Sequence, residues 1–219
     1  MYDYIVIGSG YGCLSAAALL GHYGFSVLIL EAHTVIGGCA SFFKRSNFVF
    51  DVGATTISGV LKHQPLGKLF SKLDISPKLK KLDPGLIVKM QNKKIYRYSE
   101  KTKWIDECKR IFGEGNFTGF WEEIYSIENK SWELLQSNYC LPPRNIYDFI
   151  SLAKPQNIKY ISLLLGLVRP LEKLLKKYDL YKNKDFLSFI NEQLLISTQS
   201  YSDLSPYLTS SIALAYPSE

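Results

Sequence analysis

The chain has 219 residues, 47% hydrophobic and 21% charged, which suits a soluble globular protein with one large or two small domains. Four cysteines (Cys13, Cys39, Cys108, Cys140) without a CxxC pair, and three histidines (His22, His33, His63), indicate neither a zinc site nor a disulfide framework, so no metal is expected. The formal net charge of +6 is uneven: between Lys62 and Arg110 stand 14 Lys and Arg against 5 Asp and Glu, a local basic surface that can face nucleic acid, anionic lipid or water.

No basic region precedes the first apolar run, which breaks at Gly8, so a signal peptide is not expected and the location expected is intracellular. Tyr4 to Ile7 reads as a strand entering glycines, Leu14 to Leu20 as a packed helix and Val27 to Leu30 as a second strand. Two apolar strands joined by a helix predict a parallel pair buried on both faces, with Gly21 and Gly24 at the helix end and turn.

After Gly37-Gly38, CASFFKRSNFVFDVG predicts two extended arms around a polar turn, bringing Asp51 and Gly53 back towards the first sheet. LIVKMQNKKIYRY (86–98) reads as a hairpin. From Ser99 the pattern is helical, through EKTKWIDECKRIF and FWEEIYSIENKSWELLQ and, past a Pro142-Pro143 break, several helices ending near Ala215. The expected division is a nucleotide-binding unit over residues 1–60 and a mainly helical unit over 61–219.

The run YISLLLGLV (160–168) lies between Lys159 and Arg169 and is far short of the roughly 20 residues a spanning helix needs. The longer segment from Lys154 to Tyr181 mixes apolar clusters with Lys and Arg, compatible with a membrane interface and equally with internal packing. Pro170 divides it into two shorter helices.

In GSGYGC, Gly8 permits a tight turn out of the first strand, and Gly10 lets the backbone approach a pyrophosphate without a Cβ in the way. Free N–H groups and the helix dipole beyond, from Tyr11 and Gly12 on, favour that anion. Cys13 stands where a third glycine serves helix-to-strand packing; as alanine is also accepted there, the thiol is a packing variation and the site is kept. Glu31, about twenty residues on, is placed to accept hydrogen bonds from ribose hydroxyls and would repel a 2′-phosphate, which disfavours NADP. The following VIGG sequence supplies a second backbone segment that can lie against a cofactor's phosphates, as a long flavin nucleotide requires.

Together DYIVIGSGYG, EAHTVIGGCASFF and FVFDVGATTISG resemble the N-terminal region of the FAD-dependent phytoene desaturase, carotenoid isomerase and retinol saturase superfamily, most closely the carotenoid isomerase branch. Many relatives carry arginine two residues before the Gly-Gly pair, where this chain has Val35.

The resemblance implies an α/β fold: a Rossmann-like FAD/NAD(P)-binding domain joined to a mainly helical portion of a substrate domain. It places Gly8, Ser9, Gly10, Tyr11 and Gly12 at the FAD pyrophosphate, Glu31 and Ala32 at the ribose, Gly37 and Gly38 beside the phosphates, and Asp51 and Gly53 near the path to the flavin. It implies an apolar polyene substrate, a carotenoid, with peripheral membrane contact and no nucleic acid.

Members of the superfamily are roughly twice as long, and a C-terminal segment completes their flavin site. The chain is therefore expected to be an N-terminal portion, or one half completed by a second chain. No Ser/His/Asp set, paired carboxylates or metal cluster stands out, and no catalytic side chain is assigned; His33, Cys39 and His63 are candidate neighbours of the site. A desaturase, a retinol saturase and a non-enzymatic prenyl or lipid carrier on the same architecture are the alternatives to an isomerase.

Overall fold

The computed structural model describes residues 1–54, 56–90, 93–138, 144–160, 163, 166 and 168–218. The expected Pro142-Pro143 break, Cys140 and much of the 160–168 run lie outside the described residues. Two compact units divide the chain, Met1–Lys78 and Leu79–Glu219; the sequence pattern had suggested a division near residue 60.

In the first unit, β1 (Tyr4–Ile7) and β2 (Val27–Leu30) pair in parallel, Tyr4 opposite Val27 and Ile7 opposite Leu30, with α1 (Tyr11–His22) as the crossover. β-branched and leucine side chains suit the extended backbone, whereas the small residues of α1 let the helix lie close to it. Ser26 and Asp3 tie the strand starts together: the Ser26 amide donates to Asp3 Oδ2 at 2.8 Å, and its hydroxyl donates to the same oxygen at 2.6 Å. Gly24 takes a left-handed φ of 90° between α1 and β2, a conformation that favours glycine.

β3 (Phe42–Arg45) and β4 (Phe48–Asp51) form the expected antiparallel hairpin, as a separate two-stranded sheet. The short helix α2 (Pro65–Lys72) follows, starting on a proline whose missing N–H costs nothing in a first turn. Its local pattern had not marked it as a helix.

The expectation that β1 and β2 are buried on both faces is corrected: Ile5 is 60% exposed, Ile7 81% and Leu30 48%. The sheet has two strands here, and a parallel sheet is buried on both faces only when helices cover both sides.

The second unit begins with the hairpin β5 (Leu86–Met90) and β6 (Lys93–Arg97), Leu86 opposite Arg97. Next come α3 (Lys101–Phe112), α4 (Phe117–Ser137), α5 (Ile146–Leu152), a 3-10 turn (Pro155–Tyr160), α6 (Glu172–Lys177), α7 (Lys184–Thr198) and α8 (Tyr207–Ala215). Side chains set several helix starts by accepting otherwise unpaired amides: Glu100 from Thr102 and Lys103, Asn116 from Gly119, and Asn183 from Phe186.

Trp104, Phe117, Phe120, Trp121, Leu171, Leu175, Phe186 and Ile190 are the anchors of this unit's core, each almost fully buried. Phe186 packs edge-on against Phe112, Phe117 and Phe120, with ring centroids 5.0 to 5.6 Å apart, the geometry that aromatic quadrupoles favour. Arg97 is buried among them, its guanidinium 4.4 Å from the Trp104 ring centroid and 5.0 Å from that of Trp121. It donates to the carbonyls of Tyr98 and Leu214, the Tyr125 hydroxyl and Ser218 Oγ, so dipoles and aromatic faces solvate the charge.

Candidate functional site: a dinucleotide cradle

The end of β1 turns at Gly8, whose φ is 99° and whose amide donates to the Leu30 carbonyl at 2.7 Å, locking the turn to β2. Gly10 then caps α1, and no side chain caps that helix or places an acid in its first turn. The first-turn amides and the positive end of the dipole are therefore open to an anion.

A Cβ built on Gly10 or Gly12 would meet no protein atom within 4 Å, so the space over the glycines is open for a ligand. Tyr11, first residue of α1, is 51% exposed beside it.

Cys13 faces the turn from beneath. Its thiol lies 3.5 Å from the Ile7 carbonyl, and it would be 3.7 Å from a Cβ on Gly8, an ordinary contact. The sulfur fills the packing space under the turn and leaves the ligand side unobstructed.

Ser9 is the hub of the site and is buried. Its amide and its hydroxyl both donate to Glu31 Oε2, at 2.7 and 2.5 Å, while the Gly37 amide donates to the Ser9 hydroxyl at 3.2 Å and to its carbonyl at 3.1 Å. Glu31 Oε1 accepts from the His33 amide at 2.8 Å. The Ser9 hydroxyl, then the His33 and Ser9 amides, hold the Glu31 carboxyl down at about 2, so it is an anion at neutral pH. A carboxylate can accept more hydrogen bonds than these three, which leaves capacity for a ribose hydroxyl. Ala32 follows it, exposed.

Gly37 and Gly38 are demanded by the backbone. Their φ values are 116° and 59°, Gly37 bridges Gly10 in parallel, and a Cβ on Gly38 would come within 3.2 Å of Gly10 Cα. This second strip of backbone therefore lies directly against the glycine turn. The β3–β4 hairpin brings residues 51–54 back to it, with the Ala54 amide on the Cys39 carbonyl at 3.2 Å and a Cβ on Gly53 only 3.4 Å from the same oxygen. Asp51 ends β4 opposite Phe42, exposed.

The geometry thus gathers Gly8, Ser9, Gly10, Glu31, Gly37 and Gly38 at one place. The role of Ser9 was not readable from spacing alone, because its partners lie 22 and 28 residues away. Of the candidate neighbours, His33 contributes its amide to Glu31, Cys39 is exposed beside Gly38, and His63 precedes α2. Among the described residues no group of His, Cys, Asp and Glu could hold a metal ion, and no helix is long and apolar enough to cross a membrane.

The family model described as a NAD(P)-binding Rossmann-like domain matches residues 6–73. A prolycopene isomerase of an Oncidium hybrid cultivar is 28% identical over 222 residues, covering 97% of this chain and 36% of the relative. An all-trans-retinol 13,14-reductase of Danio rerio is 37% identical over 116 residues, 50% of this chain and 19% of the relative. The chain thus spans about a third or less of the length of these relatives. A solved structure of a Pyrococcus furiosus protein shares the fold, with a TM-score of 0.59 and 19% identity over 98% of this chain and 43% of that one.

Proposed function

We propose that this chain belongs to the superfamily that joins the prolycopene isomerases and the all-trans-retinol 13,14-reductases, and that it carries the dinucleotide-binding part of an FAD-dependent oxidoreductase of carotenoid isomerase type. The observation that carries the isomerase reading is coverage: similarity to the prolycopene isomerase runs through both units, over 97% of the chain, whereas that to the retinol reductase stops at half.

The residues present fit a flavin dinucleotide. The α1 amides and the open backbone at Gly10 and Gly12 would receive its pyrophosphate, Glu31 would accept from its ribose, and the Gly37–Gly38 strip would hold the chain between them. FAD would supply hydride or electron exchange with one double bond of a bound polyene. The protein's part is to hold Glu31 ionised through Ser9 and to keep Cβ atoms off the phosphate path. A further polypeptide segment, in this or a second chain, covers the outward apolar residues of β1 and β2 and completes the flavin site; exposed Ile5, Ile7 and Leu30 support this.

Peripheral contact with a membrane, inside the cell, is part of the same reading. It is supported by Ile146, Tyr147, Ile150, Ile158 and Val168, each more than 60% exposed, in a stretch that also carries Arg144, Lys154, Lys159 and Arg169.

The test is to incubate the protein with FAD or NAD, remove free ligand and read the visible flavin bands and bound nucleotide. FAD is retained and NAD is not; failure to hold either, or preference for NAD, sinks the proposal. Given reduced flavin and prolycopene without oxygen, the loaded protein completed by that further segment changes the isomer pattern with no net gain or loss of hydrogen. Net removal of hydrogen would assign a desaturase and net addition a saturase, whereas uptake of polyene by a colourless protein would assign a carrier.

A further inference from the structure

The second unit contains a cleft of about 330 Å³, at the lower end of the roughly 300–1,000 Å³ usual for small-ligand sites. Its polar lining is Glu123 from α4, Arg169, Lys173 and Lys177 from the segment ending in α6, and Tyr207 at the start of α8. Pro170, Leu174 and Gly166 supply the apolar part, and a Cβ at 166 would sit 3.0 Å from the Tyr207 ring, so a larger residue there would press on that ring.

The charges here are arranged unequally. Lys177 is paired with Glu123, and the neighbouring Lys176, which does not line the cleft, is paired with Glu172. Arg169 and Lys173 have no carboxylate partner among the described residues, and both face the same cleft.

Glu123 offers little repulsion to an incoming anion, because the Lys177 ammonium compensates its charge and its oxygens are occupied. Oε2 accepts from Lys177 and from the Tyr178 hydroxyl, and Oε1 from the Tyr207 hydroxyl. Burial works to raise the Glu123 pKa, but these bonds outweigh it and hold it below the usual range, while burial and the carboxylate push Tyr207 up. The carboxylate is a fixed strut that joins α4, α6 and α8, and the cleft keeps two uncompensated positive charges. Lys173 and Lys177 stand four apart on α6, Arg169 lies in the bend that precedes it, and all three line the cleft together with Pro170 and Leu174.

We propose that this cleft is a binding site for a phosphate-bearing anion, with Arg169 and Lys173 as its ligands and Lys177 held in reserve by Glu123. A planar guanidinium suits two phosphate oxygens at once, and the lysine adds a point charge. The apolar floor of Pro170 and Leu174 accommodates the first carbons attached to the phosphate, and Val168, 82% exposed, lies next to Arg169 in the chain. The same chemistry is offered by a soluble phosphate ester and by the headgroup of an anionic lipid. The inference is independent of the flavin reading, since it concerns residues of the second unit alone.

Titration of the full chain with glycerol phosphate by calorimetry, and co-flotation with phosphatidylcholine vesicles with and without phosphatidic acid, distinguish the two sources. The double variant Arg169→Gln/Lys173→Gln is compared with Lys182→Gln/Lys184→Gln, which removes the same charge elsewhere in the unit. Binding of glycerol phosphate that the first pair weakens about twentyfold, and the second leaves unchanged, supports a site for soluble esters. The same pattern for phosphatidic acid vesicles alone supports a lipid headgroup site. Equal losses in both pairs, or no binding of either probe, overturn the proposal. Circular dichroism of each variant checks that the fold is intact, which replacement of exposed side chains leaves it.

Discussion

Ile7 and Trp104 are both large apolar side chains of regular elements, yet the first is 81% exposed and the second fully buried. The contrast extends to the units that carry them. In Met1–Lys78 the candidate site is built from backbone: glycines with left-handed φ, a bare helix start and a buried serine that aligns one carboxylate. In Leu79–Glu219 the work is done by interlocked rings and leucines. A cradle for a phosphate chain needs amides and empty space rather than bulk, so a unit can hold such a site while burying little apolar surface of its own.

The largest effect that would break this contrast comes from the second unit. Phe186→Ala removes a ring packed on three others and should cost about 3–5 kcal/mol, read as a lower urea midpoint by tryptophan fluorescence, since Trp104, Trp121 and Trp132 all lie in that unit. Ile7→Ser in the first unit should cost less than about 0.5 kcal/mol, followed by amide hydrogen exchange of β1 and β2. A cost of several kcal/mol at Ile7 would mean that its face is covered.

A smaller effect separates backbone chemistry from packing within the cradle. Gly10→Ala meets no protein atom and leaves the unit folded, but it puts a methyl group on the phosphate path, so dinucleotide affinity should fall by about tenfold or more. Cys13→Ala, three residues on, should change it by less than about twofold. Equal losses from both would place the cysteine on the ligand side.

The smallest effect is the acid response of the first unit. The Glu31 pKa is depressed in the folded chain, so the stabilisation it gives is complete above its ordinary value near 4.5 and is lost as pH falls through about 2. Glu31→Gln should flatten that part of the acid profile, measured by circular dichroism between pH 5 and 2; an unchanged profile would show that the carboxylate is not held by Ser9.

Much of the first unit was legible because its signals are local. Tyr4–Ile7, Val27–Leu30 and the hairpin after Gly38 announce themselves through β-branched runs and a polar turn, and the Gly37–Gly38 pair through its conformational freedom. Helix α2 was not, since PLGKLFSK is short and carries a glycine, held there because the Leu61 backbone crosses Gly67 too closely for a side chain. Nor could strand apolarity reveal how much is covered: Val6 and Ile7 read as buried whether or not another layer lies above them. The cleft around Glu123 was out of reach altogether, because the carboxylate meets Tyr207 across 84 residues of chain.

Arg97 extends that last point to the order of events during synthesis. Its guanidinium bonds reach Leu214 and Ser218, 117 and 121 residues further along. Until those residues have left the ribosome, a positive charge destined to lie against two indole rings has only the Tyr98 carbonyl and the Tyr125 hydroxyl to receive it, and lacks its Leu214 and Ser218 acceptors. The helical unit must close its longest loop last, whereas every bond of the glycine cradle is available once about the first third of the chain has emerged. A nascent chain therefore presents the folded glycine cradle before it has a completed core.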